Sequence, residues 1–357
     1  MTGATKAPAG TIRLVQAGLG GWGRDWARNV LPAVTEVEPV GWADPSGASL
    51  GLAQREAGVS PDRCFATLED AIAAEGGAVD AVLVTTDLPH HAETVRVALQ
   101  AGLHVLVEKP FAASVAEGRA LVELAEERGR TLMVSQNYRH HGVVRQVVEL
   151  VRSGELGPVD EVAIDFRRLS EPRDGVLRRH HTEEQPLLID MSIHHFDLLR
   201  LVLASEPRRV DCRTWQPKWS PFSGPPAGAA IMEFANGVMV SYRGNWLSRG
   251  EATPWSGDWR MQCERGEILW AGRGDRGARE ERLTVRRRRG GPGSAFEEEP
   301  VTVRPVPYQD RAGALHEFAE AILQGRTPET SGRDNLGTLA MMDAMVTSAT
   351  RAAPVDL

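Results

Sequence analysis

The stretch IRLVQAGLGGWG, residues 12–23, decides the fold. An apolar, β-branched run from Ile12 leads directly into Gly18, Gly20 and Gly23, spaced as GxGxxG, and a helical pattern starts near Trp22. In that setting Gly18 permits the tight turn, Gly20 lets the backbone approach a pyrophosphate, and Gly23 lets the helix pack close to the strand. Free N–H groups at the helix start, around Gly20, Gly21 and Trp22, would hold the phosphates. A glycine-rich strand-to-helix turn without a ligand reads the same in isolation. Its place at the head of a long α/β alternation favours the nucleotide. Asp44 follows the second strand about 20 residues on, where an acid accepts hydrogen bonds from the adenosine ribose hydroxyls and repels a 2′-phosphate. The competing role for Asp44 is a turn initiator in Asp44-Pro45-Ser46 or a helix cap. NAD is therefore the expected cofactor in preference to NADP.

Outward from this stretch, further strands are expected over 37–43, 79–86, 104–109 and 131–137, with helices starting near 22, 46, 92 and 114. The strands lack apolar–polar alternation, as burial on both faces of a parallel sheet requires. After His140 the pattern changes. One helix runs to Gly154, and period-two alternation then recurs over 159–169, 208–215, 228–234, 237–246, 258–264 and 281–287, with a tight turn at Asn236-Gly237. These segments are expected to be antiparallel. A helical segment over 186–204 interrupts them, and two terminal helices are expected over about 312–323 and 335–351. The expected organisation is a Rossmann NAD(P)-binding domain over 11–138 and a substrate-binding and oligomerisation domain over 139–357, with the terminal helices packing back on the first.

A chain of 357 residues suits two domains, and 42% hydrophobic with 25% charged residues is an ordinary globular balance. No apolar run approaches the ~20 residues of a spanning helix. A net charge of -7 disfavours nucleic acid as a partner, and the run from Arg286 to Arg289 reads as a solvated strand edge. Cys64, Cys212 and Cys263 are too dispersed for a metal pair and odd in number for a disulfide set, which points to a cytoplasmic protein. The amino-terminal ten residues carry no apolar signal region and read as a frayed tail.

The chemistry resides in two further motifs. Glu108-Lys109-Pro110 ends a parallel strand, at the edge where open α/β sheets bind ligands, and the proline restricts Lys109 and admits a cis bond. On the largely apolar helix over 186–204, Asp190, His194 and Asp197 are offset by four and three and share one face. Such a stripe faces either a cleft or a satisfied polar network. The order GxGxxG, EKP and DxxxHxxD resembles the Gfo/Idh/MocA oxidoreductases, the family of glucose–fructose oxidoreductase and inositol 2-dehydrogenase. The resemblance extends through Asn137-Tyr138-Arg139, the strand-turn MEFANGVMVSY and the closing Gly325 to Pro328 turn, and so spans nearly the whole chain.

This resemblance implies a Rossmann domain followed by a mixed α/β domain with a large open, mainly antiparallel sheet. It implies hydride transfer between nicotinamide and a secondary alcohol of a sugar, cyclitol or sugar derivative, with no metal. Lys109, Asp190 and His194 match the family's catalytic residues. Thr85, Thr86, His91, Glu108, Lys109 and Asn137 join the glycine loop and Asp44 as expected cofactor contacts, and Tyr138, Arg139 and Arg178 join the catalytic residues as expected substrate contacts. Thr86-Asp87-Leu88 departs from the family's TPN, although His91 still matches its following histidine, and Ser192 stands where a glycine is usual. In the expected mechanism His194 is the general base and Lys109 donates to the same oxygen as alkoxide character develops. Asp190 orients His194 or binds an adjacent hydroxyl, and the lysine charge keeps His194 neutral. The charged loop over 173–185 reaches the substrate or is merely solvent-exposed. Tryptophans such as Trp215, Trp219, Trp246, Trp255 and Trp259 stack on sugar faces or pack the sheet. Two alternatives remain: an enzyme that reduces and reoxidises bound NAD within one turnover, as in glycoside cleavage or sugar rearrangement, and a non-catalytic dinucleotide-binding regulator. Bulky residues on both faces of the 231–246 strands, with Met232, Phe234, Met239, Tyr242 and Trp246 as candidates, point to a homodimer or homotetramer built through that sheet.

Overall fold

β-Branched runs of the amino-terminal third form the first sheet of the computed structural model, which describes residues 10–172, 174–274, 281–288 and 295–357. Residues 1–9 of the tail, Arg173 of the charged loop and Arg289 of the arginine run lie outside the described residues. β1 (Ile12–Ala17), β2 (Val37–Ala43), β3 (Cys64–Phe65), β4 (Ala81–Val84), β5 (His104–Val107) and β6 (Leu132–Val134) pair in the order β3-β2-β1-β4-β5-β6. All pairs are parallel. The order reverses beside β1, the switch point at whose carboxyl edge such sheets bind ligands. Between the strands lie α1 (Gly21–Asp25), α2 (Gly47–Ala57), α3 (Leu68–Ala74), α4 (Leu88–Gln100) and α5 (Val115–Glu127). Ser46, Thr67 and Ser114 cap α2, α3 and α5 by accepting the N–H of Ser49, Asp70 and Glu117. β3 and α3 are too short to repeat a hydrophobic period, which is why periodicity misses them. α4 begins at Leu88 rather than near 92 because Pro89 sits in its first turn, where a missing donor costs nothing.

One compact unit holds the chain up to Asn137 together with Tyr308–Leu336; the other holds Tyr138–Pro307 together with Gly337–Leu357. After α6 (Gly142–Arg152), β7 (Val159–Arg167) and α7 (Ile193–Leu203) come β8 (Pro207–Trp215), β9 (Ala227–Phe234), β10 (Met239–Asn245), β11 (Asp258–Cys263), β12 (Gly266–Ala271), β13 (Arg282–Arg288) and β14 (Phe296–Pro300). The chain closes with α8 (Asp310–Gln324), α9 (Gly332–Arg351) and β15 (Val355–Asp356). In the first unit α8 shares a core with β1, β4 and β5: Ala314, Leu315 and Phe318 cluster with Leu14, Leu83, Leu106 and Trp26.

The second sheet, among the described residues, runs β14-β13-β12-β11-β7-β10-β9-β8-β15. β10 is parallel to β7, and the other pairs are antiparallel. That one parallel pair departs from the antiparallel expectation; β7 is joined to the β8–β10 meander by a long connection through α7, and such a crossover makes parallel pairing possible. The expected hairpin at Asn236-Gly237 forms, with Gly237 at φ +87° and Glu233 opposite Met239. Bulky residues do lie on both faces, but the turn leaves only Ile231 and Met239 of these strands on the open one. Because 235–238 are spent on the turn, Val240 and Tyr242 face the same way as Met232 and Phe234; these residues and Trp246 are buried, and Met239 alone of the candidates is exposed. The open face instead alternates charges: Arg243 donates twice to Asp165 (2.7 and 2.8 Å), while Arg167 and Arg282 meet Asp258 at 3.1 and 3.0 Å. Arg286, Arg287 and Arg288 of the arginine run lie on β13, where Arg286 pairs with Glu267 and Glu298 and Arg287 with Glu155. Among the described residues no helix is long and apolar enough to cross a membrane.

Candidate active site

The first unit carries a glycine loop whose residues divide by space. Gly18 has φ +95°, and a Cβ there would lie 2.5 Å from the Thr86 nitrogen; a Cβ on Gly23 would lie 2.1 Å from the Gly18 oxygen. At Gly20 and Gly21 a Cβ would meet nothing within 4 Å. Two glycines thus serve close packing and two leave the backbone open to a ligand, which is the arrangement a dinucleotide pyrophosphate needs. The loop is fastened from beneath by Gln16, whose amide donates to the oxygens of Gly23 (2.8 Å) and Thr85 Oγ1 (2.9 Å), and by Thr85 Oγ1, which donates to Gly18 O at 2.6 Å. Sequence reasoning missed Gln16. Its signal is a lone amide within the buried, otherwise apolar run 14–17 of β1.

Asp44 follows β2 and is nearly buried; Oδ2 accepts the N–H of Leu19 (2.6 Å) and Oδ1 that of Ser46 (2.8 Å). It therefore initiates the Asp44-Pro45-Ser46 turn, Ser46 being the helix cap, and keeps lone pairs on both oxygens for a further donor. Trp22 is exposed beneath the Arg311 guanidinium, 4.1 Å from its ring centroid. Glu108 is buried and accepts the indole N–H of Trp26 at 2.8 Å, and Lys109, half-buried, begins a cis peptide to Pro110. His91, also buried, sets its ring between the carbonyls of Pro110 (2.7 Å) and Thr86 (3.0 Å), tying the turn after β4 to the turn after β5. Asn137 is buried and donates to the Asp310 carboxylate.

In the second unit a π-helical stretch, Leu187–Ser192, runs into α7. Asp190 lies in the π turn, half-buried, and His194 in the first turn of α7, 6% exposed. Asp197 turns inward, where Arg139 donates to both of its oxygens at 2.6 Å and the Thr338 hydroxyl adds a bond of 3.1 Å. Tyr138, next to Arg139, lies flat on His194 with ring centroids 4.1 Å apart. Arg178 is exposed; its backbone N–H donates to His181 Nδ1 at 2.9 Å, and its carbonyl accepts the His181 N–H at 2.9 Å. His180 stacks on Trp246, and Trp255 lies beneath the Arg168 guanidinium at 3.9 Å. Trp259 and Trp270 stack in the sheet core, whereas Trp215 and Trp219 are exposed.

The adjacent histidines differ completely in setting. His195 is fully buried, with Nε2 3.0 Å from the Trp255 carbonyl and Nδ1 3.1 Å from the Tyr242 hydroxyl, itself 2.7 Å from Ser192 Oγ. Burial holds its pKa down to about 4, so it is neutral and the bonds run from Ser192 to Tyr242 to His195 to the carbonyl. Burial likewise pushes the Tyr242 phenol up. Ser192, the departure from glycine, is thereby explained as a link between helix and sheet.

Residues 12–136 match the family described as an oxidoreductase family with an NAD-binding Rossmann fold, and residues 144–269 match the GFO/IDH/MocA C-terminal domain. D-apiose dehydrogenase of Paraburkholderia graminis is 26% identical over 93% of this chain and 87% of its own. The D-xylose 1-dehydrogenase (NADP(+)) 2 of Haloferax volcanii is 28% identical over 92% and 96%. Among solved structures, an inositol dehydrogenase homolog of Azotobacter vinelandii, complexed with NADH and myo-inositol, superposes with a TM-score of 0.78 at 20% identity, covering 98% of each chain.

Proposed function

This chain belongs to the Gfo/Idh/MocA oxidoreductase family, and on that premise we propose that it transfers a hydride between NAD and a secondary alcohol of a sugar, cyclitol or sugar derivative. The observation that carries the reading is the pairing, in one chain, of an open glycine loop flanked by Asp44 with a helix that retains both Asp190 and His194. A regulator that only binds the dinucleotide has no need of Lys109, Asp190 and His194 together.

Bound nicotinamide supplies the hydride acceptor. The backbone at Gly20, Gly21 and Trp22 holds the pyrophosphate, and the spare lone pairs of Asp44 take the ribose hydroxyls; its charge disfavours a 2′-phosphate. His194 removes the hydroxyl proton, Lys109 donates to the oxygen as negative charge develops there, and Asp190 binds or orients the neighbouring group. His195 is excluded from the base role because both of its nitrogens are engaged within the fold.

The test is a screen of inositols, pentoses, hexoses, amino sugars and glycosides with NAD and with NADP, read by absorbance of the reduced cofactor. Substrate-dependent NADH supports the reading. Conversion of substrate without net NADH points to cofactor recycling within the turnover, and failure of every polyol refutes the substrate class. We further propose a homo-oligomer formed through the open face of the second sheet, since that face exposes Ile231 and Met239 and a two-fold contact through it closes on itself. The free thiols of Cys64, Cys212 and Cys263 suit work in the reducing cytoplasm.

A further inference from the structure

Two consecutive residues, Tyr138 and Arg139, grip α7 at points three residues apart. Arg139 holds the Asp197 carboxylate through two bonds of 2.6 Å. Tyr138 lays its ring on the ring of His194, with 4.1 Å between centroids and 6° between planes. Both rings are buried, at 3% and 6% exposure. Tyr138 is itself held on other sides. Arg273 donates from a terminal nitrogen to the phenolic oxygen at 3.1 Å, its guanidinium carbon lies 4.8 Å from the ring centroid, and His141 meets the ring edge-on at 6.3 Å. The Arg273 backbone N–H and His141 Nδ1 converge in turn on one carboxylate oxygen of Glu281, at 3.0 and 3.2 Å.

A parallel pair this close leaves the imidazole one plane. Rotation about its χ2 would drive the ring edge into the tyrosine, and χ2 of histidine is otherwise a broad, weakly restrained torsion. A general base works only while one nitrogen points along the line to the proton it removes, so spreading the ring over orientations lowers the rate without weakening cofactor binding. We propose that Tyr138 is a positioning residue for His194: its π-face sets the imidazole plane, and the Arg273 guanidinium packs against the tyrosine ring. The inference rests on the reading of His194 as the general base. It moves Tyr138 from the substrate contact expected from sequence to a residue that acts through the histidine.

The test uses the full chain with 13C-labelled histidine, the His194 ring resonances being assigned through His194→Gln. Tyrosine stacking displaces those resonances upfield; Tyr138→Phe keeps the displacement and Tyr138→Leu abolishes it. On the alcohol that gives turnover in the screen, Tyr138→Leu lowers kcat on the order of 10- to 100-fold, as misplacement of a reacting group does, with the Kd for NAD unchanged. Tyr138→Phe recovers most of that loss. If Tyr138→Leu does not fold, Tyr138→Met keeps the volume without the flat ring and carries the same expectation. A kcat within twofold of wild type in Tyr138→Leu or Tyr138→Met, with His194→Gln inactive, overturns the proposal. So does a Tyr138→Phe variant as slow as Tyr138→Leu, which would assign the effect to the hydroxyl. Full activity in His194→Gln instead overturns the general-base reading, and the resonance displacement then still reports whether the stack holds the ring.

Discussion

His194 and His195 share a peptide bond and nothing else. One lies under Tyr138 near the start of α7, while the other is enclosed by Tyr242, Trp255 and Phe166. Replacing Lys109 or His194 with alanine should each depress turnover by ~100- to 10,000-fold, the usual worth of an acid–base group, with NAD affinity nearly intact; stopped-flow turnover beside calorimetric titration of NAD checks both halves. On the proposed role of its carboxylate as both ribose acceptor and repulsion of a 2′-phosphate, Asp44→Ala should narrow the preference for NAD over NADP. Competition between the two cofactors measures it, and an unchanged ratio would remove Asp44 from that role. For His195, the folded pKa of about 4 lies below the ordinary 6.5. Between those values the unfolded chain binds the extra proton, so stability is full above about pH 6.5 and falls as pH drops toward 4, by on the order of 3 kcal/mol at ~1.4 kcal/mol per unit. Urea midpoints across that window should decline more steeply for wild type than for His195→Asn.

At the scale of elements, the glycine loop shows how a motif acts through close approach. Gly23 is the point where α1 meets the loop after β1, since a Cβ there would stand 2.1 Å from the Gly18 carbonyl oxygen. Backbone on backbone cannot yield cheaply. Gly23→Ala should push α1 off the strand, lower the melting temperature and abolish NAD binding, whereas Gly21→Ala, with open space at its Cβ, should fold as wild type. Thermal unfolding beside NAD titration separates the two. The strand-to-helix order, the hairpin at Asn236-Gly237 and the helix across 186–204 are legible in sequence because each is a local period or a local turn chemistry. The π turn at Leu187–Ser192 is not, since nothing in an apolar run announces an extra residue per turn.

Across the whole molecule, the second sheet buries Met232, Phe234, Tyr242 and Trp246 on its covered face and sets ion pairs on the other. Exposed pairs of this kind add little to the stability of a lone chain; what a two-fold contact would remove from water is the exposed Ile231 and Met239 beside them. Light scattering at micromolar concentration should give an even multiple of 38.9 kDa; a monomer there rules out the sheet-mediated assembly. Sequence by itself determined the two-part architecture, the glycine loop, Asp44 and the order of Lys109, Asp190 and His194, because each is written in local spacing and in residue types with one dominant use. Tertiary structure alone decided that Arg139 is spent on Asp197, that Tyr138 faces His194 and that Glu108 takes the Trp26 N–H. Those partners are distant along the chain, and their polar groups, once buried, must be satisfied by whatever the fold brings within reach.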